Sequence, residues 1–432
     1  MATAPQRATR VRYTGILALM TGAGDRRTFI ALALQVVVNA FVYSTYLARL
    51  PDLRDRAGVD IAVLGRIMTT GNLAALLASV VATRLVARYG SRTVIVWAAP
   101  MYVLALPMLG LARSPLALVA AVVMMMSVNV VVDVAVTIQK AVFGFRRGAP
   151  VMGRLSAVYS FGTLAGGLAA ALMARAHVDV TVHLAVLAVA LGGGLVIVRH
   201  GLLRDDAIPA SERHAGSPGT ARGLLAAVLL IGVVSAAIVP LDIVPGEFTT
   251  FRFRDDLGLG ASAAAAGYFA FTAGMTLGRL LSDHLAVRLG RRRLFTGGVL
   301  TSAAGLGAAA LLPWVASAYA GFAAAGLGTG ALAPLLAEAA SRVGREKEGV
   351  RAMFLGNRLA GFLTPVLVGS LAGTALTVGD AMACVALPCA VALLVLGRHV
   401  LPGRRRGAPE RSPEVGHHGV QGAALPGGRR QA

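Results

Sequence analysis

Residues 116–138 read LALVAAVVMMMSVNVVVDVAVTI, a run of 23 positions with a single charged group, Asp133. As a helix rising 1.5 Å per residue it is about 35 Å long, enough to cross the roughly 30 Å of hydrocarbon in a bilayer. Eleven similar blocks accompany it. The expected spans are 29–48, 62–83, 94–112, 116–138, 155–174, 182–198, 223–244, 262–284, 294–313, 316–338, 352–373 and 380–397. A helix satisfies its own backbone hydrogen bonds, so it is a stable way through lipid. A membrane barrel would show short alternating segments, and the sequence has none. The expected fold class is an all-α membrane protein of twelve transmembrane helices.

Composition agrees. The chain is 56% hydrophobic and 14% charged, against about 25% charged in a soluble domain. Its 52 glycines suit close helix packing in lipid. The net charge of +21 would suggest nucleic acid in a soluble protein. Here the cations lie between the apolar blocks, where they set topology instead. With both termini placed in the cytoplasm, 31 Lys and Arg fall inside and 8 outside, counting Arg66 with the outer loop, and Arg279 and Arg358 remain within spans. That excess orients a multi-pass protein of the inner or plasma membrane and favours an even number of spans. No nucleic-acid partner is expected. Cys384 and Cys389 are five residues apart in one span and do not share a face, so no disulfide or metal framework follows.

The segment 199–222, with Pro209, Pro218 and Gly219, is the longest internal connector. It is expected to be a cytoplasmic linker between six-helix bundles at 29–198 and 223–397. Residues 1–28 and 398–432 are expected to be disordered arms, basic and rich in Gly and Pro; His417 and His418 lie in the second and are read as solvated. A shift of 200 residues brings Arg54, Asp55 and Gly58 onto Arg254, Asp255 and Gly258, and Arg88, Gly90 and Arg92 onto Arg288, Gly290 and Arg292. One offset without gaps makes the halves a repeat, as in two-bundle transporters.

The loop after the second span holds Thr83, Ala87, Arg88, Tyr89, Gly90, Ser91 and Arg92. Its Arg-x-Gly-x-Arg core resembles the signature of the major facilitator superfamily, with Thr83 and Ala87 replacing the usual Gly and Asp. The second half repeats the core as Arg288, Gly290 and Arg292, with Val287 at the Asp position. Asp133, Val134, Ala135 and Gln139, then Gly278, Arg279, Leu280, Leu281 and Asp283, and finally Gly361, Pro365 and Gly369, resemble the YbjJ-like bacterial branch. Where that branch has Asn and His, this chain has Thr137 and Ser156. The resemblance covers about residues 29–400. It implies the major facilitator fold, a central cavity lined by the fourth and seventh spans, and alternating access. It also implies a small-molecule cargo and a monomer.

Ionisable groups at membrane depth cost at least about 2.5–3.5 kcal/mol at a helix centre, which makes them functional candidates. Asp133, with Asn129 one turn away, and Asp242 in the seventh span are read as substrate-binding and proton-coupling groups. The bland alternative for Asp133 is a structural hydrogen bond, and for Asp242 interfacial water. Pro240 and Pro245 are expected to break the helix around Asp242, leaving Glu247 exposed. Asn39 and Tyr43 share a helix face and are read as substrate contacts or helix packing. Arg279 and Asp283, four apart, are expected to pair and to act in gating. Arg84, Arg88, Arg92, Arg288 and Arg292 are expected to latch the cytoplasmic side or to anchor topology. Arg358 is expected to snorkel or to face the cavity. The run Met124–Met126 points three ways and reads as packing. Gly162, Gly166, Gly167, Gly361 and Gly369 are expected to permit close helix approach.

No Gly-x-x-x-x-Gly-Lys-Ser/Thr loop, catalytic triad or metal spacing is present, so no cofactor and no enzymatic activity are expected. A membrane enzyme would need clustered acids or His at one depth, and a sensor would add a soluble domain. The expectation is a secondary active transporter, coupled to protons. Export of a drug or metabolite and import of a sugar-like solute both fit.

Overall fold

The computed structural model describes residues 23–147, 151–204, 221–341, 343 and 347–400. Its helices are α1 (Ala23–Ala48), α2 (Leu50–Ala57), α3 (Ile61–Tyr89), α4 (Ser91–Leu111), α5 (Pro115–Arg147), α6 (Met152–Arg175), α7 (Val180–Gly201), α8 (Ala221–Phe251), α9 (Ala261–Leu289), α10 (Arg291–Leu311), α11 (Val315–Gly330), α12 (Leu332–Ser341), α13 (Lys347–Ala372) and α14 (Val378–Val400). A π-helical turn, Arg252–Asp256, follows α8. Among the described residues there is no strand. Short α2 lies between spans, and α11 with α12 forms one interrupted span, so twelve helices cross. Eleven are apolar enough to do so on composition alone. The twelfth, α9, is 29 residues long but carries Arg279 and Asp283, and it is packed against α6 and α11.

Helix α1 begins at Ala23, inside the arm expected to be disordered, and α7 and α14 run on to Gly201 and Val400. Helical hydrogen bonding continues past the hydrocarbon boundary that hydropathy marks. Residues 1–22, 205–220 and 401–432, and with them most of the expected arms and linker, His417 and His418, lie outside the described residues.

The start of α1 and the end of α14 share one face of the bundle, called here the terminal face; the loops after α1 and α8 lie on the far face. Helices α1 and α3–α7 make one half, α8–α14 the other. The halves meet along two seams, α3 with α13 and α6 with α9. Glycine sets the approach. A Cβ on Gly65 of α3 would lie 2.6 Å from the Pro365 carbonyl oxygen of α13, and one on Gly369 would lie 2.9 Å from the Ile61 carbonyl oxygen. Gly162 and Gly166 bring α6 against α1 in the same way.

Pro240 and Pro245 do not break α8, contrary to the sequence expectation. A proline inside a helix frees the carbonyl four residues earlier. The carbonyl freed by Pro245, Leu241 O, accepts the Thr329 hydroxyl at 3.2 Å. The one freed by Pro365, Gly361 O, accepts Asn72 Nδ2 across the seam at 3.2 Å. Neighbouring helices thus replace the missing donors, as apolar surroundings require. The break between α11 and α12 falls where Pro334 frees Gly330 O.

Candidate functional site

Between the two seams, charged and polar side chains of both halves lie within one another's electrostatic field. Asp133 on α5 is exposed there, with Asn129 half-buried one turn away and Lys140 two turns nearer the terminal face. Arg358 on α13 is exposed opposite, and Asp133 lies in the field of both Lys140 and Arg358. Arg358 thus acts electrostatically on the other half, in keeping with the cavity-facing of its two expected placements. Asp242 on α8 is half-buried and lies in the field of Arg279. Tyr159 on α6 links the groups, sensing Asp133, Arg279 and Asp242 together. The two acids read from the sequence thus belong to one site, each with an opposing cation.

Helix α9 turns Arg279 toward α6, where its guanidinium donates to Ser160 Oγ at 3.3 Å. The expected pair with Asp283 does not form. Asp283 is exposed at the terminal end of α9, while Arg279 is held inward by Ser160. Asn39 is buried: Gln35 Nε2 donates to its side-chain oxygen at 2.8 Å, and the Tyr102 hydroxyl donates to its carbonyl at 3.4 Å. Its contacts are those of helix packing. Tyr43 is half-buried with its ring centroid 6.4 Å from that of Tyr46.

The far-face end of the cleft holds Glu247, which the sequence reading left exposed. It is 2% exposed, because α8 continues past Pro245 and carries it inward. Its Oε2 has no hydrogen-bond partner among the described residues, and neither has the buried hydroxyl of Tyr46. Tyr43, Tyr46 and Tyr268 all lie in its field. An unpaired buried carboxyl of this kind is costly unless it is neutralised or supplied with a partner. Glu247, Lys140, Tyr46, Tyr159 and Tyr268 are the residues that sequence reading did not place in the site; Tyr43 was among its candidates. The acid at 247 was visible in the chain, but its direction was not.

Beyond Glu247 the halves are tied together by charge. Arg54 binds Asp255 through both guanidinium nitrogens, one at 2.9 Å. Arg254 donates to Asp55 at 2.6 Å and to Asp52 at 2.8 Å. Arg54 also lies 5.1 Å from the centre of the Phe251 ring. The two ties are reciprocal, each half giving its Arg to the other half's Asp. The turns that present them match, with Gly58 and Gly258 both left-handed at φ 65° and 64°. The signal was present in the sequence as the matching Arg-Asp-x-x-Gly runs, which were read only as a mark of duplication.

The Arg-x-Gly-x-Arg loops form no such tie on the terminal face among the described residues. Arg88 lies over the Tyr89 ring at 5.3 Å and Arg92 donates to the Arg199 carbonyl at 3.1 Å, both within the first half. Arg84, Arg288 and Arg292 have no ion-pair partner among the described residues. The halves are tied on the far face, and among the described residues no ion pair ties them on the terminal face. Among the described residues no cluster of three metal-ligating side chains occurs.

Comparison with known proteins follows this geometry. The family model described as Major Facilitator Superfamily matches residues 32–365. An uncharacterized MFS-type transporter of Yersinia pestis is 29% identical over 264 residues, 59% of this chain and 65% of that protein. Membrane protein MosC of Rhizobium meliloti is 25% identical over 70% of this chain and 73% of its own length. Among solved structures, the nucleoside transporter NupG matches at TM-score 0.64 and 12% identity over 88% of this chain and 98% of its own. A bacterial homolog of the human lysosomal transporter Spinster, inward-facing and occupied, matches at 0.62 and 14% identity, covering 88% and 96%. At such identities the likeness concerns the fold.

Proposed function

The chain belongs to the Major Facilitator Superfamily and is a membrane transporter, and from that premise we propose that it is a proton-coupled secondary transporter working by alternating access. The terminal face is the cytoplasmic one in this reading, and the arrangement described is the inward-facing state. One observation carries the proposal: Asp133 lies in the field of Arg358 from the opposite half, and the two halves are tied to each other on the far face. Rocking the halves about the two seams would break those ties and expose the same groups to the other side.

Asp133, Asp242 and Glu247 are the groups assigned to carry the coupling proton. The cargo is a small polar organic solute with charged or hydrogen-bonding groups at both ends, since the cleft offers carboxylates, cations and tyrosine hydroxyls together. Asn129, Tyr43 and Tyr159 would contact it. The protein would act as a monomer without a cofactor.

The test is flux of candidate solutes in proteoliposomes with an imposed pH gradient, read in both directions. Proton coupling through Asp133 predicts that Asp133→Asn loses gradient-driven accumulation and keeps exchange of solute for solute. Unchanged gradient dependence in that variant would remove Asp133 from the mechanism.

A further inference from the structure

The terminal face of the second half contains a feature that transport does not use. A hollow of about 1460 Å³ lies between the end of α9, the start of α10 and α12. Arg288, Arg291, Arg292 and Arg293 line it, against two acids, Asp283 and Glu338. Glu338 is engaged by Arg291, with contacts of 2.5 and 2.7 Å. Arg288, Arg292 and Arg293 have no ion-pair partner among the described residues.

Their placement is electrostatically adverse without a ligand. Three arginines occupy the first turn of α10, where the helix dipole is positive and cations are disfavoured. The residue before the helix is Gly290, so no side chain caps the first amides. Free amides and guanidinium groups around one hollow form an anion site. An apolar wall adjoins it. Val287 is 78% exposed and Leu300 52% exposed, and Leu300 lies nine residues along α10, about 13 Å deeper at 1.5 Å per residue.

Comparison of the halves separates this from the general rule that cytoplasmic loops are basic. At the equivalent positions the first half has Ser91, Arg92 and Thr93. Ser91 is buried and accepts from Gln139 at 2.8 Å, and Arg92 is engaged by the Arg199 carbonyl. Arg291, at the position of Ser91, instead makes an exposed ion pair with Glu338. Topology needs cations in both loops, but it does not need an uncompensated ring of them around a hollow in one.

We infer that this hollow binds an anionic phospholipid, its phosphate held by Arg288, Arg292, Arg293 and the first amides of α10, its acyl chain lying along Val287 and Leu300. The site joins α9, which carries Arg279, to α10 and α12, so its occupancy stiffens the half that faces Asp133.

The test uses the purified full-length protein in neutral detergent. Phosphatidylglycerol, phosphatidylcholine and inorganic phosphate are added in separate arms, and bound lipid by native mass spectrometry and the melting temperature are read. Phosphatidylglycerol should be retained and raise Tm by several degrees, and phosphatidylcholine should not. The double variant Arg292→Gln/Arg293→Gln should weaken phosphatidylglycerol retention at least tenfold, while Arg84→Gln/Arg88→Gln in the other half keeps it. Arg293→Gln alone, with a smaller loss, serves if the double variant does not fold. Equal retention of phosphatidylcholine, or equal loss in both double variants, overturns the site. A Tm rise reproduced by inorganic phosphate, with displacement of the lipid, overturns the lipid assignment and leaves a free-anion site.

Discussion

At the scale of single residues, Asp133 lies in the field of Arg358 from the opposite half, and in the proposed transport reading both are cargo contacts. A hydrogen bond to a charged group contributes about 1.5–3 kcal/mol, so Arg358→Gln is expected to raise KM for an anionic or polar solute by roughly ten- to a hundredfold. Initial-rate uptake into proteoliposomes measures this; an unchanged KM would place Arg358 outside the cargo site. Asp179 makes a second prediction, outside the membrane. It caps α7 by accepting from the Thr181 amide at 2.8 Å and pairs with Arg56 at 3.1 Å. Arg56 first, then the Thr181 amide, hold its carboxyl at about 2, below the usual 3.8. A folded-state value below the unfolded one means stabilisation that is present above about pH 4 and fades as pH falls toward 2. Asp179→Ala should therefore lower Tm at pH 7, by the equivalent of about 1 kcal/mol or less for a capping residue. The gap from wild type should narrow between pH 4 and 2. A gap independent of pH would show that the charge is irrelevant. Asp133 and Asp242 were legible in the sequence because a lone acid in an apolar run has few innocent explanations. Glu247 was not, because its burial depends on α8 surviving two prolines, and that depends on Thr329 from a distant part of the chain.

Individual helices carry the next level. Helix α9 meets α11 through Gly274 and Gly278 on one side and Gly326 and Gly330 on the other, each facing main-chain atoms of its partner. Backbone cannot yield as a side chain can, so Gly326→Val is expected to destabilise by about 1–3 kcal/mol or more, the range for overpacking. Gly307→Ala, whose added carbon would meet nothing within 4 Å, should be nearly silent. Detergent melting curves compare the two, and equal effects would refute close approach as the role of Gly326. The twelve spans were readable because each needs only length and apolarity. Their true ends, the interruption before Leu332 and the direction of Arg279 depend on neighbours. Arg279 shows the limit well: helical spacing puts it beside Asp283, yet Ser160 on another helix holds it.

For the whole molecule, the proposed alternating access gives the far-face ties the role of weighting inward- against outward-facing states. Partly exposed ion pairs contribute about 0.2–1 kcal/mol each, so losing both ties should shift that balance by roughly two- to thirtyfold. Arg54→Asp opens the far face in this account, and adding Asp255→Arg restores closure. Spin labels at Asp60 and Gly260, with Cys384 and Cys389 replaced, would report the change as a longer distance in the single variant. No lengthening would exclude the ties as a gate.

The reciprocity of those ties has a further consequence. Arg54 reaches Asp255 while Arg254 reaches Asp55, so the first half carries within itself both the donor and the acceptor of a self-complementary contact. Two copies of it, related by a two-fold axis, could form the same pair of bonds that the full chain forms between unlike halves. A fragment ending at residue 204 is expected to dimerise in detergent, and Arg54→Asp should return it to a monomer. The contact tying the halves is in this sense a pseudo-isologous interface within one chain.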